Sequence, residues 1–449
     1  MFFKRSVVQL NHTTFVSQRK LSFVTPRSKV TMNKLLLNLT SQRSSLESAV
    51  SMKAAERALK MGIGGIEIVR SDVEESHLRS LLSTLEGSVP LPPIFMKIGY
   101  DSETSSNLLH SPEWVSHQIG TSKLVEEGYK VVLVMHNVEE IRLKGEGRME
   151  PKKFAENMKT VNDTFQGFVD KYENVGSYGL SSNGIGLPVE HPLHLSVEAF
   201  VGTAGAGFRH LFFPFNCVEE KGVSQVPRDR RYETVGFRPL TGYPDGGTGE
   251  GFPLKLVDHI ITRGGGGGEE VSTHLLKSPP EAYQLALSLA LGHFDAEELV
   301  LAQGDRTLTP EERETLDGCK LLQGLILEED RSLDRIRSFA AYEKNLTEKI
   351  ILTIHENFEE LDEESTEVLA KFFMWHGAAV RFYTARETRK LLRVGGDDGG
   401  SQEHNVPVEE SLQSYALKHA LGQDAVDRVS LGLTKVEYVK EFEMMLAEY

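Results

Sequence analysis

The chain has 449 residues, 39 % of them apolar, and a formal net charge of −15. That charge excludes general nucleic-acid binding, which needs a basic face to displace counterions from phosphate. No window approaches the roughly 20 apolar residues of a membrane span, and two cysteines, Cys217 and Cys319, exclude a disulfide framework or a zinc cluster.

Residues 1–31 carry Lys4, Arg5, Arg19, Lys20, Arg27 and Lys29, several hydroxyl side chains and no acid; the first acidic residue is Glu47. Basic, hydroxylated and acid-poor is the composition of an organelle transit peptide. Mitochondrial delivery is the expectation, with chloroplast or cytoplasmic placement as alternatives and a disordered basic tail as the plain reading. Beyond it, β-rich runs alternate with helical patterns. The strands read KLLLNL (34–39), GIEIV (65–69), IFMKI (94–98), VVLVM (131–135), VGSYGL (175–180), RHLFF (209–213), ETVGF (233–237) and RVSLG (428–432).

Ala54, Ala58 and Leu59 support a helix before the second strand, and Ser111-Pro112-Glu113 opens one before the fourth with a capping serine and an N1 proline. Between 151 and 172, Phe154, Met158, Val161, Phe165 and Phe168 recur every three or four residues and give one apolar face. Cys217 to Arg231 leaves little room for a full helix. Nearly two hundred residues then separate the seventh and eighth strands, far more than one crossover needs. They open with GYPDGGTGEGFP and RGGGGGEE and continue as helix, with a capping-box start at Thr309-Pro310-Glu311-Glu312 and a long amphipathic stretch at 361–392.

Strands alternating with helices imply parallel pairing and right-handed crossovers. Eight of them point to an α/β fold, a closed (β/α)8 TIM barrel with a large helical insertion between the seventh and eighth strands; an open doubly wound sheet is the alternative. Neither G-x-G-x-x-G after a strand nor G-x-x-x-x-G-K-[ST] is present. The expected layout is a basic segment at 1–31, seven barrel strands over 32–256, glycine-rich loops and the helical insertion over 257–419, and the last strand and helix over 420–449.

The C-terminal ends of the strands of a parallel barrel open on one face, where sites are built. There the chain places Lys97, then His136 and Asn137, then Ser181, Ser182 and Asn183, then Asn216, Arg238, and finally Thr434 with Lys435. A lysine beside a histidine suits carbonyl chemistry, because donors stabilise the negative charge that grows on oxygen when hydride adds to carbon. Serine and asparagine together could hold a carboxamide. His355 and His376 read as packing or surface histidines, and no metal site is expected.

These landmarks resemble the aldo/keto reductase superfamily. IFMKIGY (94–100) is similar to that family's lysine strand, VVLVMHNVEE (131–140) to its histidine strand, and VGSYGLSSNGIGLP (175–188) to its carboxamide-binding turn. LFFPFNCVEEKGV (211–223), GFRPLTGY (236–243) and VSLGLTKVEYV (429–439) resemble its remaining landmarks in order. The resemblance implies a cofactor, NADP or NAD, and a small-molecule carbonyl or alcohol substrate. It implies catalytic roles for Lys97 and His136, with Glu67 at the family's aspartate position and Asp72 at its tyrosine position. Cofactor contacts fall on Ser181, Ser182, Asn183, Arg238, Leu240, Gly432, Thr434 and Lys435. Asp72 departs from the pattern: with an unperturbed pKa of about 3.9, it is ionised near neutral pH and donates no proton. A strongly raised pKa at Asp72, or Tyr100 swinging in, would restore an acid, and Phe212 stands where the family has a carboxamide-binding glutamine. The resemblance therefore also implies an alternative, a catalytically impaired regulatory or interaction subunit that meets a protein partner through the helical insertion.

Overall fold

The computed structural model describes residues 32–39, 49–101, 106–143, 149–227, 231–243, 254–256, 279–296, 307–333, 336, 339–358, 361–394, 406–407, 410–432 and 436–448. The basic segment 1–31, most of the glycine-rich runs, Thr434 and Lys435 lie outside them.

Eight parallel strands close into a barrel: β1 (Leu35–Asn38), β2 (Gly65–Val69), β3 (Ile94–Ile98), β4 (Val131–His136), β5 (Val175–Ser181), β6 (Phe208–Pro214), β7 (Glu233–Phe237) and β8 (Arg428–Leu431). Neighbours in sequence are neighbours in space, and β8 closes on β1 through Leu35↔Val429. The strands read as near-continuous apolar runs because both faces are covered. Leu37, Ile66, Met96, Leu133, Leu180 and Leu211 point outward into a core shared with the surrounding helices. Leu36, Phe95, Val132, Val134, Phe212, Val235 and Phe237 fill the interior.

At the bottom of the barrel the interior is polar. Ser177 Oγ lies 2.9 Å from His210 Nε2, and Glu233 joins His210 (3.0 Å) to Arg428 (2.5 Å). The Glu233 carboxylate thus sits between the His210 ring and the Arg428 guanidinium.

The crossovers vary in length. Helices Ala49–Lys60, Asp72–Leu85 and Pro151–Lys171 are full, whereas β6 reaches β7 with only the short helix Lys221–Gln225, as the cramped segment predicts. The last helix, Val436–Glu448, packs on Ala49–Lys60, where Arg57 pairs with Glu443. The insertion builds its own core from Tyr283, Phe294, Leu322, Ile326, Tyr342, Phe372 and Val380. The predicted capping box at Thr309 and Glu312 is formed, and the long helix runs Glu363–Val394. That helix reaches the barrel through Ala385 and Leu392, which pack with Cys217, Leu256 and Val406. The helix Leu412–Gly422, which leads into β8, contributes Leu417, Ala420 and Leu421 to the barrel core.

Candidate active site at the barrel mouth

Asn38, Glu67, Lys97 and His136 come from β1, β2, β3 and β4 and meet at the open end. Lys97 Nζ donates to Glu67 Oε1 at 2.7 Å, and Asn38 Nδ2 donates to the same oxygen at 2.9 Å and to Ser430 Oγ at 3.3 Å. Glu67 is fully buried and its second oxygen, Oε2, is enclosed without a hydrogen-bond partner. The ammonium also lies 5.4 Å from the centre of the Phe237 ring and 5.8 Å from that of Phe212, close enough for cation–π attraction. An aromatic wall thus surrounds a cation whose charge one carboxylate balances.

His136 is held by backbone geometry. Gly99 has φ +145, and a Cβ there would meet the His136 carbonyl oxygen at 2.8 Å, so glycine lets the ends of β3 and β4 approach. Asn107 Nδ2 then donates to the carbonyls of His136 (2.7 Å) and Asn137 (3.0 Å). Asn137 takes a left-handed conformation, φ 55, and its N–H donates to the Ser181 carbonyl. Burial, and then the charge of Lys97, push the imidazole from 6.5 down to about 3, so the ring is neutral at physiological pH. Its Nδ1 is enclosed without a partner while the residue as a whole is half-buried, which leaves the Nε2 edge facing the mouth. An ammonium and a neutral imidazole at one mouth can both donate to a single oxygen. In a water-poor site such donors stabilise oxyanion character far better than they would in bulk water.

The expected fourth member is elsewhere. Asp72 is the first residue of helix Asp72–Leu85, capped by Ser71, and its side chain is 92 % exposed. It pairs with Arg70 Nη1 at 2.9 Å, and Arg70 is itself held by Glu75, the Gln118 carbonyl and Thr121. The structure therefore does not bring Asp72 to Lys97 and His136, because the helix start claims it. Tyr100 begins a short antiparallel ribbon with Asn107, three residues beyond Lys97.

Of the residues assigned to a nicotinamide cofactor, Ser182, Asn183 and Arg238 are engaged with other groups of the chain. Asn183 donates its amide to Asn137 Oδ1 (3.2 Å) and Glu139 Oε1 (3.1 Å), and its backbone N–H to the same Glu139 oxygen (2.9 Å). Ser182 Oγ accepts from Gly184 N, and Ser181 is buried. Arg238, at φ 60, pairs with Glu219 at 2.8 Å and stacks on Tyr243. Leu240 packs into the joint between barrel and insertion, and Gly432 follows β8. Phe212 fills the interior beside Lys97. Carboxyl groups thus stand on Asn183 and Arg238, two of the residues assigned to the cofactor.

No family model and no curated protein sequence matches the chain. Among solved structures, an aldo-keto reductase from Bacillus halodurans in its holo form is similar at 12 % identity, with a TM-score of 0.32, over 64 % of this chain and 91 % of that one. The likeness is a distant one of barrel fold.

Four contributors were not singled out in the sequence: Asn38, Asn107, Glu139 and Glu219. Asn38 had a signal, as the polar interruption of an apolar strand at the open end of the barrel. Glu139 stands three residues after His136 and is almost fully buried, with Oε2 unpartnered and its pKa raised by that burial.

Proposed function

We propose that the barrel mouth binds a small carbonyl-bearing molecule, with Lys97 Nζ and the Nε2 edge of His136 on its oxygen. In this reading the site serves recognition or regulation, with reductase turnover lost. The observation that carries this is the split in the site: the polarising half is assembled, while Asp72 faces solvent on Arg70 and Asn183 and Arg238 are held by Glu139 and Glu219. The helical insertion, joined to the barrel through Leu256 and Ala385, is the natural output.

The intact Glu67–Lys97 pair favours a second reading, a small-molecule oxidoreductase dependent on NADPH or NADH. For that reading Asn183 and Arg238 must leave their carboxylates, and a proton donor, with Tyr100 the nearest tyrosine in sequence, must reach the mouth. Titration with NADPH and NADH, followed by nicotinamide fluorescence, separates the two. Absence of binding, or binding without turnover across an aldehyde and ketone panel, supports recognition. Turnover that Lys97→Met abolishes would establish the oxidoreductase and overturn the first reading.

A further inference from the structure

Helix Pro279–His293 has the sequence PPEAYQLALSLALGH and is apolar on opposite sides. Tyr283, Leu287 and Ala290 face the core of the insertion. Leu285 and Leu289, one turn apart, are 63 % and 59 % exposed. A second apolar stripe on a helix is normally covered as the first is. Beside the two leucines, Val368, Lys371 and Trp375 of helix Glu363–Val394 complete a groove of about 590 Å³, with Glu364 at its edge.

We infer that this groove is the self-association surface of the protein, covered by the same groove of a second copy. The charges decide the occupant. The whole chain is strongly acidic, at −15, yet the groove is lined by one carboxylate and one ammonium from a single helix, Glu364 and Lys371, with His293 from the other. They stand on either side of Val368, about 6 Å and about 4.5 Å from it along the axis at 1.5 Å per residue. When two copies meet antiparallel about Val368, each Glu364 faces the Lys371 of the other, giving two identical cross-pairs. That is the self-complementarity a two-fold interface requires. Lys371 pairs with Glu367 within its own helix at 2.5 Å, with both side chains exposed, and such a surface pair is readily exchanged. Leu285, Leu289 and Trp375 supply the apolar centre of what becomes a four-helix seam, of the kind in which a few buried anchors dominate binding.

Sedimentation equilibrium of the full chain tests this. A concentration-dependent dimer is expected. Leu285→Glu should raise the dissociation constant at least about 30-fold, the equivalent of one hot-spot residue, with unfolding unchanged because the side chain is exposed. Lys371→Glu and Glu364→Lys should each weaken the dimer, and the double reversal should restore it. A monomer at every concentration, a dimer indifferent to Leu285→Glu, or a double reversal no better than either single variant would overturn the inference.

Discussion

Replacing Lys97 with methionine isolates the buried pair on which the mouth depends. Lys97 Nζ and Glu67 Oε1 are 2.7 Å apart, with side chains 6 % and 0 % exposed. Lys97→Met keeps the length of the side chain and removes the charge. It leaves the Glu67 carboxylate with the Asn38 amide as its remaining donor, since Oε2 already lacks a partner. An uncompensated buried charge of this kind costs about 3–5 kcal/mol, a large share of a typical stability of about 5–15 kcal/mol. Adding Glu67→Gln removes the stranded charge and keeps an acceptor for Asn38, so the double variant should recover about 2 kcal/mol or more. Because the barrel and the insertion have separate cores, the unfolding signal must be local. In a Trp375→Phe background, fluorescence reports Trp114, which packs against the barrel core. Urea unfolding then gives the barrel's stability. A loss under about 1 kcal/mol for Lys97→Met, or a double variant no more stable than the single, would refute the reasoning.

Three further outcomes follow from the same geometry. His136 is pushed down to about 3 from 6.5, so the unfolded chain takes up a proton below pH 6.5 that the folded barrel refuses; its stabilisation is complete above that pH and falls as pH drops towards 3. His136→Asn should flatten the Trp114-monitored loss of stability between pH 6.5 and 4, and an unchanged slope would place the imidazole in water. Asp72→Asn should leave ketone binding intact and stability within about 0.5 kcal/mol, because its carboxylate is solvent-exposed on Arg70; lost binding would put Asp72 back at the mouth. Glu219→Gln releases Arg238 and should tighten NADPH binding as measured by nicotinamide fluorescence, while unchanged affinity would show that this pairing does not guard the site.

The barrel was legible because its strands are buried on both faces, so each stands out as an apolar run between helical patterns. The expected strands GIEIV, IFMKI and ETVGF coincide with β2, β3 and β7. His136 and Lys97 were legible for a related reason, as polar residues at the open ends of apolar strands. Asp72 was assigned by the family pattern, although the local signal pointed elsewhere. Ser71 followed three residues later by Glu74 is a helix start, and Ser71 Oγ does accept from Glu74 N. An aspartate in that first turn is stabilised by the helix dipole. The engagement of Asn183 by Glu139 and of Arg238 by Glu219 could not be read in advance. The first joins residues 44 apart and the second residues 19 apart, and neither spacing follows a local period.

In the proposed function, Lys97 and His136 donate together to one carbonyl oxygen. Difference infrared spectroscopy of acetophenone labelled with carbon-13 at the carbonyl observes that oxygen directly. The bound ketone should absorb at lower frequency than in water, with the shift shrinking in His136→Phe and again in Lys97→Met, each checked for folding by Trp114 fluorescence. A bound ketone absorbing at its solution frequency, or a shift that survives Lys97→Met, would contradict it.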